Sequence, residues 1–131
     1  MSNLPRPILL VNDDEYVSEA LRKLFELEGF AVETATDGWD ALTKIYDGLI
    51  PGMILLDLMM PVMDGYEFRE QQRKNPAIAD VPVVVMSAVF DVNSAAVQLL
   101  RAKAYVEVPV DYRNLVRIVR EHYATGSETA T

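Results

Sequence analysis

The sequence is poor in several residue types that mark particular classes of protein. Its 131 residues include no cysteine, which excludes a disulfide framework, and one histidine, His122, far from any predicted strand end. No apolar stretch approaches the roughly 20 residues that a membrane-spanning helix needs. The first residues do not form a charged-then-apolar leader of the secretory kind. We therefore expect a cytoplasmic protein with no membrane partner.

Positive charge is also scarce. Twelve basic and 20 acidic side chains leave a formal charge of −8, which opposes binding to phosphate backbones and anionic lipid surfaces. Arg117 and Arg120 lie beside Glu121 and supply too little positive charge for a DNA-reading surface. We expect no nucleic acid partner.

Hydrophobic residues, by contrast, make up 50% of the chain. A chain of this length and composition forms one compact domain with a real core, and a second domain would not fit. We predict that the domain covers residues 1–124. Residues 125–131 are small and polar, which predicts a disordered C-terminal tail.

Short apolar runs alternate with longer segments of helical period along the whole chain. The most apolar run is typical of the centre of a parallel sheet, and a more polar run is typical of an edge strand. The pattern predicts an α/β fold, with a doubly wound parallel sheet of five strands and five helices. The predicted strands cover residues 7–12, 30–35 (edge), 52–57 (centre), 81–87 and 104–108, and the predicted helices cover residues 15–29, 37–48, 64–75, 91–102 and 111–123.

Polar side chains stand at the ends of three predicted strands. The first strand ends in Asn12-Asp13-Asp14, the third in Asp57 and the fourth in Ser87. Ligands of an open parallel sheet bind outside the carboxyl ends of its strands, so we expect these side chains to form one oxygen-rich pocket. A buried carboxylate needs a partner, because isolating its charge from water is costly. Such a pocket suits Mg²⁺ better than a soft metal.

Each of these side chains also has a structural alternative. Asp57 could be a helix N-cap or a turn residue, and Ser87 a local cap at the end of its strand. Asp14 precedes a helix, where an acid favours the helix dipole, so we assign it that role and assign Asp13 to the metal. Tyr105, in the fifth predicted strand, is as compatible with ordinary packing as with a functional role.

Several of these features occur together in a specific order along the chain. An acidic cluster follows the first strand, "LLDLMMPVMDG" surrounds the third, and Ser87-Ala88 follows the fourth. The fifth strand contains an aromatic residue and is followed by a proline. In these features the chain resembles the receiver domain of bacterial two-component response regulators, whose family includes the single-domain chemotaxis regulator. The resemblance covers essentially the whole chain and implies a flavodoxin-like fold with strand order 2-1-3-4-5.

The resemblance implies a phosphoryl-transfer site built around Asp57. That residue would be the phosphoacceptor and would attack the phosphorus of a phosphohistidine on a sensor histidine kinase or phosphotransfer protein. Asp13, Asp57 and the backbone carbonyl of Met59 would bind Mg²⁺, with Asn12 contributing through water. Such a protein catalyses at most its own phosphorylation and a slow autodephosphorylation.

The resemblance also implies a switch that responds to the phosphoryl group. Ser87 would hydrogen-bond this group after transfer, and Tyr105 would be the aromatic residue that swings inward. The surface formed by the fourth helix, fifth strand and fifth helix would then bind an unidentified target protein in trans, or a second copy in a dimer. Met59 and Val89 flank the path of attacking water in this family, and because both are apolar here we expect slow autodephosphorylation.

Two positions depart from the family pattern. Asn12 replaces an acid, which removes one negative charge from the pocket. Val108 replaces a lysine that precedes the proline, and Lys103 lies on the wrong side of the strand to substitute for it. We expect the Val108-Pro109 bond to be cis, as it usually is in the family.

The missing lysine leaves two functional hypotheses. The first is a stand-alone, Mg²⁺-dependent phosphoacceptor. The second is a degenerate receiver that acts as a phosphorylation-independent protein-interaction module. A flavodoxin-like nucleotide binder is disfavoured, because no glycine-rich phosphate loop follows the first strand. A haloacid-dehalogenase-type phosphatase would need an aspartate where this chain has Met59.

Overall fold

The computed structural model describes residues 6–88 and 93–123 of the chain. Five parallel strands form one sheet in the order β2-β1-β3-β4-β5, which confirms the predicted fold, the edge position of β2 and the central position of β3. Strands and helices alternate in the order β1 Ile8–Val11, α1 Glu15–Leu27, β2 Val32–Ala35, α2 Gly38–Tyr46, β3 Met53–Leu56, α3 Gly65–Lys74, β4 Val83–Ser87, α4 Ala95–Leu99, β5 Ala104–Glu107 and α5 Tyr112–His122.

Helices cover both faces of the sheet, and each face has its own apolar core. Successive side chains of a strand point to opposite faces, so Leu9 and Val11 enter one core while Ile8 and Leu10 enter the other. The first core also receives side chains from α2, α3 and α4, and the second receives side chains from α1 and α5. β1 and β3 are buried throughout, as expected of central parallel strands.

Four of the helices begin at an aspartate whose side chain accepts hydrogen bonds from the first turn. Three of these caps, Asp37, Asp64 and Asp111, lie at the predicted helix starts. The cap of α3 is Asp64, which forms a capping box with Glu67. Gly29 follows α1 with φ of 96°, a left-handed conformation that glycine adopts without strain.

The fourth helix is shorter than the sequence pattern predicts. Its described part extends from Ala95 to Leu99, with Ser94 as the N-cap, and the chain leaves the helix through Arg101, whose φ is 50°. The first residues of the predicted helix lie outside the described residues, as do Val89 and the predicted tail over 125–131. None of the helices in the described ranges is both long enough and apolar enough to cross a membrane.

Candidate functional site

A cleft of about 750 Å³ opens at the carboxyl ends of the strands. It lies where the strand order reverses, between β1 and β3, which is the usual ligand position in a doubly wound sheet. The structure brings together in it all the strand-end residues predicted from the sequence, whereas Tyr105 is not part of its lining. The lining includes Asn12, Asp13, Asp57, Met59, Ser87 and Val108.

Asp57 is half-buried at the end of the central strand, with its carboxylate in the cleft. Its backbone N–H donates to the Val11 carbonyl at 3.0 Å, and its Oδ1 accepts from the Met59 N–H at 3.4 Å. Burial raises the pKa of this carboxyl, and repulsion from Asp13 raises it further against the lowering effect of backbone hydrogen bonds. Because Asp64 caps α3, the N-cap alternative for Asp57 is wrong.

The loop after Asp57 is held in place by a close approach of α3. The Gly65 N–H donates to the Leu58 carbonyl at 3.0 Å. A Cβ at Gly65 would lie 2.4 Å from the Asp57 carbonyl oxygen and 2.8 Å from Leu58 Cα, so no larger residue fits without a backbone shift. Gly65 therefore positions the backbone that bears the carboxylate, a role that sequence analysis missed.

The residues after β1 have distinct roles. Asp14 Oδ1 accepts from the backbone N–H groups of Tyr16 and Val17 at 3.0 and 3.2 Å, so its predicted structural role is confirmed. Asp13 is exposed at the cleft and close enough to Asp57 to affect its pKa. Asn12 is 8% exposed, and its Oδ1 accepts from the Asp14 N–H at 2.8 Å.

The donor set fits Mg²⁺ on chemical grounds. Within the described ranges, no group of three or more histidine, cysteine, aspartate or glutamate side chains could hold a metal ion. Mg²⁺ does not need such a group, because it usually binds one or two carboxylates and retains several waters. Asp13 and Asp57 provide two carboxylates that repel each other, and a cation between them would relieve this repulsion.

The far wall of the cleft lacks basic side chains. Ser87 is 2% exposed, and its carbonyl accepts from the Val108 N–H at 3.1 Å. The Val108-Pro109 bond is cis, as predicted. Among the described residues that line the cleft there is no lysine, arginine or histidine. Lys103 comes directly before β5, and its backbone N–H donates to the Val83 carbonyl. Val108 comes directly after the same strand, so Lys103 lies at the opposite end of β5 and cannot replace a lysine at position 108.

Tyr105 belongs to β5 and does not line the cleft, and its side chain reaches α4. Its hydroxyl donates to the Val97 carbonyl and accepts from the Ala102 N–H, both at 3.2 Å. Its ring is half-buried against the core on the α4 side of the sheet. The packing alternative thus describes the position seen here, and the inward movement stays a prediction.

Two arginines of α3 hold the C-terminal end of α4. Arg69 is 9% exposed and donates to the carbonyls of Leu100 and Arg101 and to the side chain of Gln72. Burial lowers the pKa of the Arg69 guanidinium, with a further contribution from Arg73. Arg73 donates to the Leu99 carbonyl at 2.9 Å. The charged segment "FREQQRK" gives no sign of this buried role.

A parallel sheet of this order, with acidic residues where the strand order reverses, defines the class of flavodoxin-like α/β domains. The family model described as "Response regulator receiver domain" matches residues 8–120. The chain belongs to the response regulator receiver domain family.

Curated relatives are longer than this chain. The probable transcriptional regulator ycf27 of Guillardia theta is 32% identical over 114 residues, which cover 86% of this chain and 43% of that protein. The CpxR homolog of Haemophilus influenzae, a transcriptional regulatory protein, is 43% identical over 81 residues, covering 62% of this chain and 34% of the relative. The chain thus spans less than half the length of either relative.

Solved structures of receiver domains superpose on most of the chain. A CheY-like receiver domain protein from Methanospirillum hungatei has a TM-score of 0.80 and 27% identity, covering 88% of this chain and 91% of the other. The response regulator TrrA from Thermotoga maritima, in complex with Mg(2+)-BeF, has a TM-score of 0.77 and 27% identity, covering 88% and 97%.

Proposed function

We propose that this receiver domain, residues 1–124, is a Mg²⁺-dependent phosphoacceptor whose acceptor residue is Asp57. The observation that carries the proposal is the position of this carboxylate, half-buried at the end of the central strand in one cleft with Asp13 and Ser87. The phosphoryl donor is a phosphohistidine on a sensor histidine kinase or a phosphotransfer protein.

In the transfer step, a carboxylate oxygen of Asp57 attacks the phosphorus of the phosphohistidine. A P–O bond forms as the P–N bond breaks, and the bonding electron pair stays on the imidazole nitrogen. Phosphoryl transfer depends mainly on positioning and on neutralising the developing charge. The hydrogen bonds of Asp57 with Val11 and Met59, and the close approach of Gly65 to the Asp57 carbonyl, support such positioning.

Mg²⁺ would be held by Asp13, Asp57 and the backbone carbonyl of Met59, and any contribution of Asn12 would pass through water. When bound, the ion supplies positive charge between the carboxylates and the phosphoryl oxygens. The similarity to the Thermotoga regulator, whose structure is a complex with Mg(2+)-BeF, supports this assignment.

The response to phosphorylation passes through Ser87 and Tyr105. The Ser87 hydroxyl donates a hydrogen bond to a phosphoryl oxygen, and Tyr105 then moves inward. Because the Tyr105 hydroxyl bonds Val97 and Ala102, this movement breaks both bonds and changes the C-terminal end of α4. The surface formed by α4, β5 and α5 is the site for a target protein or a second copy of the chain.

A second candidate function is a degenerate receiver that binds partners without phosphorylation. The observation that favours it is the lack of a basic side chain in the described lining of the cleft, where Val108 is part of the wall. The phosphoacceptor is the better supported function, because transfer requires the acceptor acid and the metal more directly than a cation at position 108.

Intact-protein mass after incubation with acetyl phosphate and Mg²⁺ distinguishes the two functions. We expect one added phosphoryl group, which a chelator suppresses and Asp57→Asn abolishes. Asp80→Asn is the matched control, since Asp80 is an exposed aspartate outside the cleft, and it should be labelled like the wild type. Unchanged wild-type mass, under conditions that label another receiver domain, would support the degenerate receiver instead.

A further inference from the structure

Asn12 is fixed by hydrogen bonds at the end of β1. Its side-chain oxygen accepts from the Asp14 N–H at 2.8 Å, and its backbone carbonyl accepts from the Ser18 hydroxyl at 3.5 Å. The residue is 8% exposed. Within residues 6–88 and 93–123, no hydrogen bond uses the Asn12 amino group, Nδ2. The oxygen of this carboxamide is therefore engaged, while its two N–H donors are available.

The sheet places Asn12 next to Asp57. β1 and β3 are parallel in register, with Val11 opposite Leu56, and the Asp57 N–H donates to the Val11 carbonyl. Asn12 and Asp57 are thus the next pair along the two strands. Neighbouring strands are about 4.8 Å apart, and paired residues project to the same face of the sheet. Both side chains line the same cleft.

A phosphoryl group on Asp57 would enter a cleft with few side-chain donors. The described lining has no cationic side chain. Its side-chain donors are the buried hydroxyl of Ser87, the hydroxyls of Tyr16 and Tyr112, and the Asn12 amino group. Both tyrosines are exposed, so Asn12 and Ser87 are the buried donors on the two strands that flank β3.

We infer that the Asn12 amino group donates a hydrogen bond to a phosphoryl oxygen on Asp57, so that Asn12 and Ser87 are the uncharged side-chain donors that hold the anion in a cleft whose described lining has no basic side chain. The inference rests on the proposed phosphoacceptor function and replaces a water-mediated Mg²⁺ role for Asn12. An aspartate at position 12 would have no donor when ionised, and its charge would repel the phosphoryl group. Asn12 thus supplies a side-chain donor in a cleft where Val108, on the opposite wall, has none.

Fluoroberyllate, a phosphoryl mimic, tests this role when it is titrated at saturating Mg²⁺ and followed by amide chemical shifts. A hydrogen bond to a charged group is worth enough that Asn12→Ala should bind fluoroberyllate about tenfold more weakly or worse. Asn12→Asp should also weaken fluoroberyllate binding, whereas it should tighten Mg²⁺ binding measured without the anion. Opposite changes for anion and cation are not expected from a purely structural role.

Two further variants separate donation from folding. Asn75 accepts from the Ala77 N–H at 3.0 Å, the same local bond as at Asn12 but outside the cleft, so Asn75→Ala should bind fluoroberyllate like the wild type. Asn12→Ser keeps an acceptor for the Asp14 N–H, but its side chain is too short to replace the amino group as a donor to the anion. It should therefore bind fluoroberyllate more weakly than the wild type. Adding Val108→Lys to Asn12→Ala should restore binding by supplying a donor from the opposite wall.

The possible results are distinguishable. If Asn12→Ala, Asn12→Ser and Asn12→Asp all bind fluoroberyllate with wild-type affinity, the inference is overturned while the proposed phosphoacceptor function stands. Weaker Mg²⁺ binding in Asn12→Ala, with unchanged fluoroberyllate affinity at saturating Mg²⁺, would assign Asn12 to the metal and also overturn it. Absence of wild-type fluoroberyllate binding would reject the proposed phosphoacceptor function, and the inference with it.

Discussion

Replacing Gly65 by alanine should disturb the loop after Asp57 without changing a functional side chain. The new Cβ would lie 2.4 Å from the Asp57 carbonyl oxygen, and real Cβ contacts essentially never fall below 3.0 Å. The backbone of α3 and the backbone at Asp57 must therefore separate by about 0.6 Å or more. Because the Cβ is fixed to the backbone and the carbonyl oxygen is a backbone atom, no side-chain rotation can relieve the contact.

The expected cost follows from this displacement. Overpacking of this kind typically destabilises a domain by about 1–3 kcal/mol. Without the contact, alanine would instead favour the helix by up to about 1 kcal/mol over glycine, so the sign of the change is informative. A shift of the acceptor carboxylate approaching 1 Å should slow phosphorylation by about tenfold to a hundredfold.

Urea unfolding and the rate of labelling by acetyl phosphate measure the two effects. Gly48→Ala is the matched control, because Gly48 has φ of 114° and no atom within 4 Å of its Cβ position. It should lose about 1 kcal/mol through backbone strain yet be labelled at the wild-type rate. A Gly65→Ala variant that is more stable than the wild type, or is labelled equally fast, would refute the positioning role of Gly65.

Three further predictions concern other parts of the site. Asp57→Asn should stabilise the metal-free protein at neutral pH, because burial raises the pKa of Asp57 in the folded state and the ionised carboxylate therefore costs stability. In urea titrations this gain should vanish as the pH falls below the ordinary aspartate pKa of about 3.9, where the carboxyl is protonated in both states. Arg69→Met should destabilise the fold by about 2–4 kcal/mol in the same assay, because it strands buried carbonyls at the end of α4, whereas exposed Arg73→Met should cost about 1 kcal/mol or less. Met59→Asn should speed loss of the phosphoryl group, followed by intact mass, because an amide at this exposed cleft position can hold the attacking water; an equal or slower loss would contradict this role.

Much of the fold could be predicted because local pattern and tertiary environment agree. The run that forms β3 is apolar at every position, and the structure buries it on both faces at the centre of the sheet. The strand-end rule then placed Asn12, Asp13, Asp57 and Ser87 in one cleft, since parallel strands end at the same edge. The cis bond before Pro109 was expected from the family resemblance alone.

The features that escaped sequence analysis depend on contacts between distant segments. The role of Gly65 comes from a backbone approach to Asp57, which no local pattern encodes. Arg69 is in a charged helical segment that is typical of solvent exposure, but it is buried because carbonyls some 30 residues away need donors. The early end of α4 has the same origin, since these arginines and Tyr105 bond the backbone where a helix would have continued.

Locating the phosphoryl group tests the central claim most directly. The protein would be labelled with acetyl phosphate and Mg²⁺, reduced with borohydride, which converts an aspartyl phosphate to homoserine, and sequenced by fragmentation mass spectrometry. We predict homoserine at position 57 and unmodified aspartate at positions 13, 14 and 64. Homoserine at one of those other positions, or at none, would contradict the assignment of Asp57 as the phosphoacceptor.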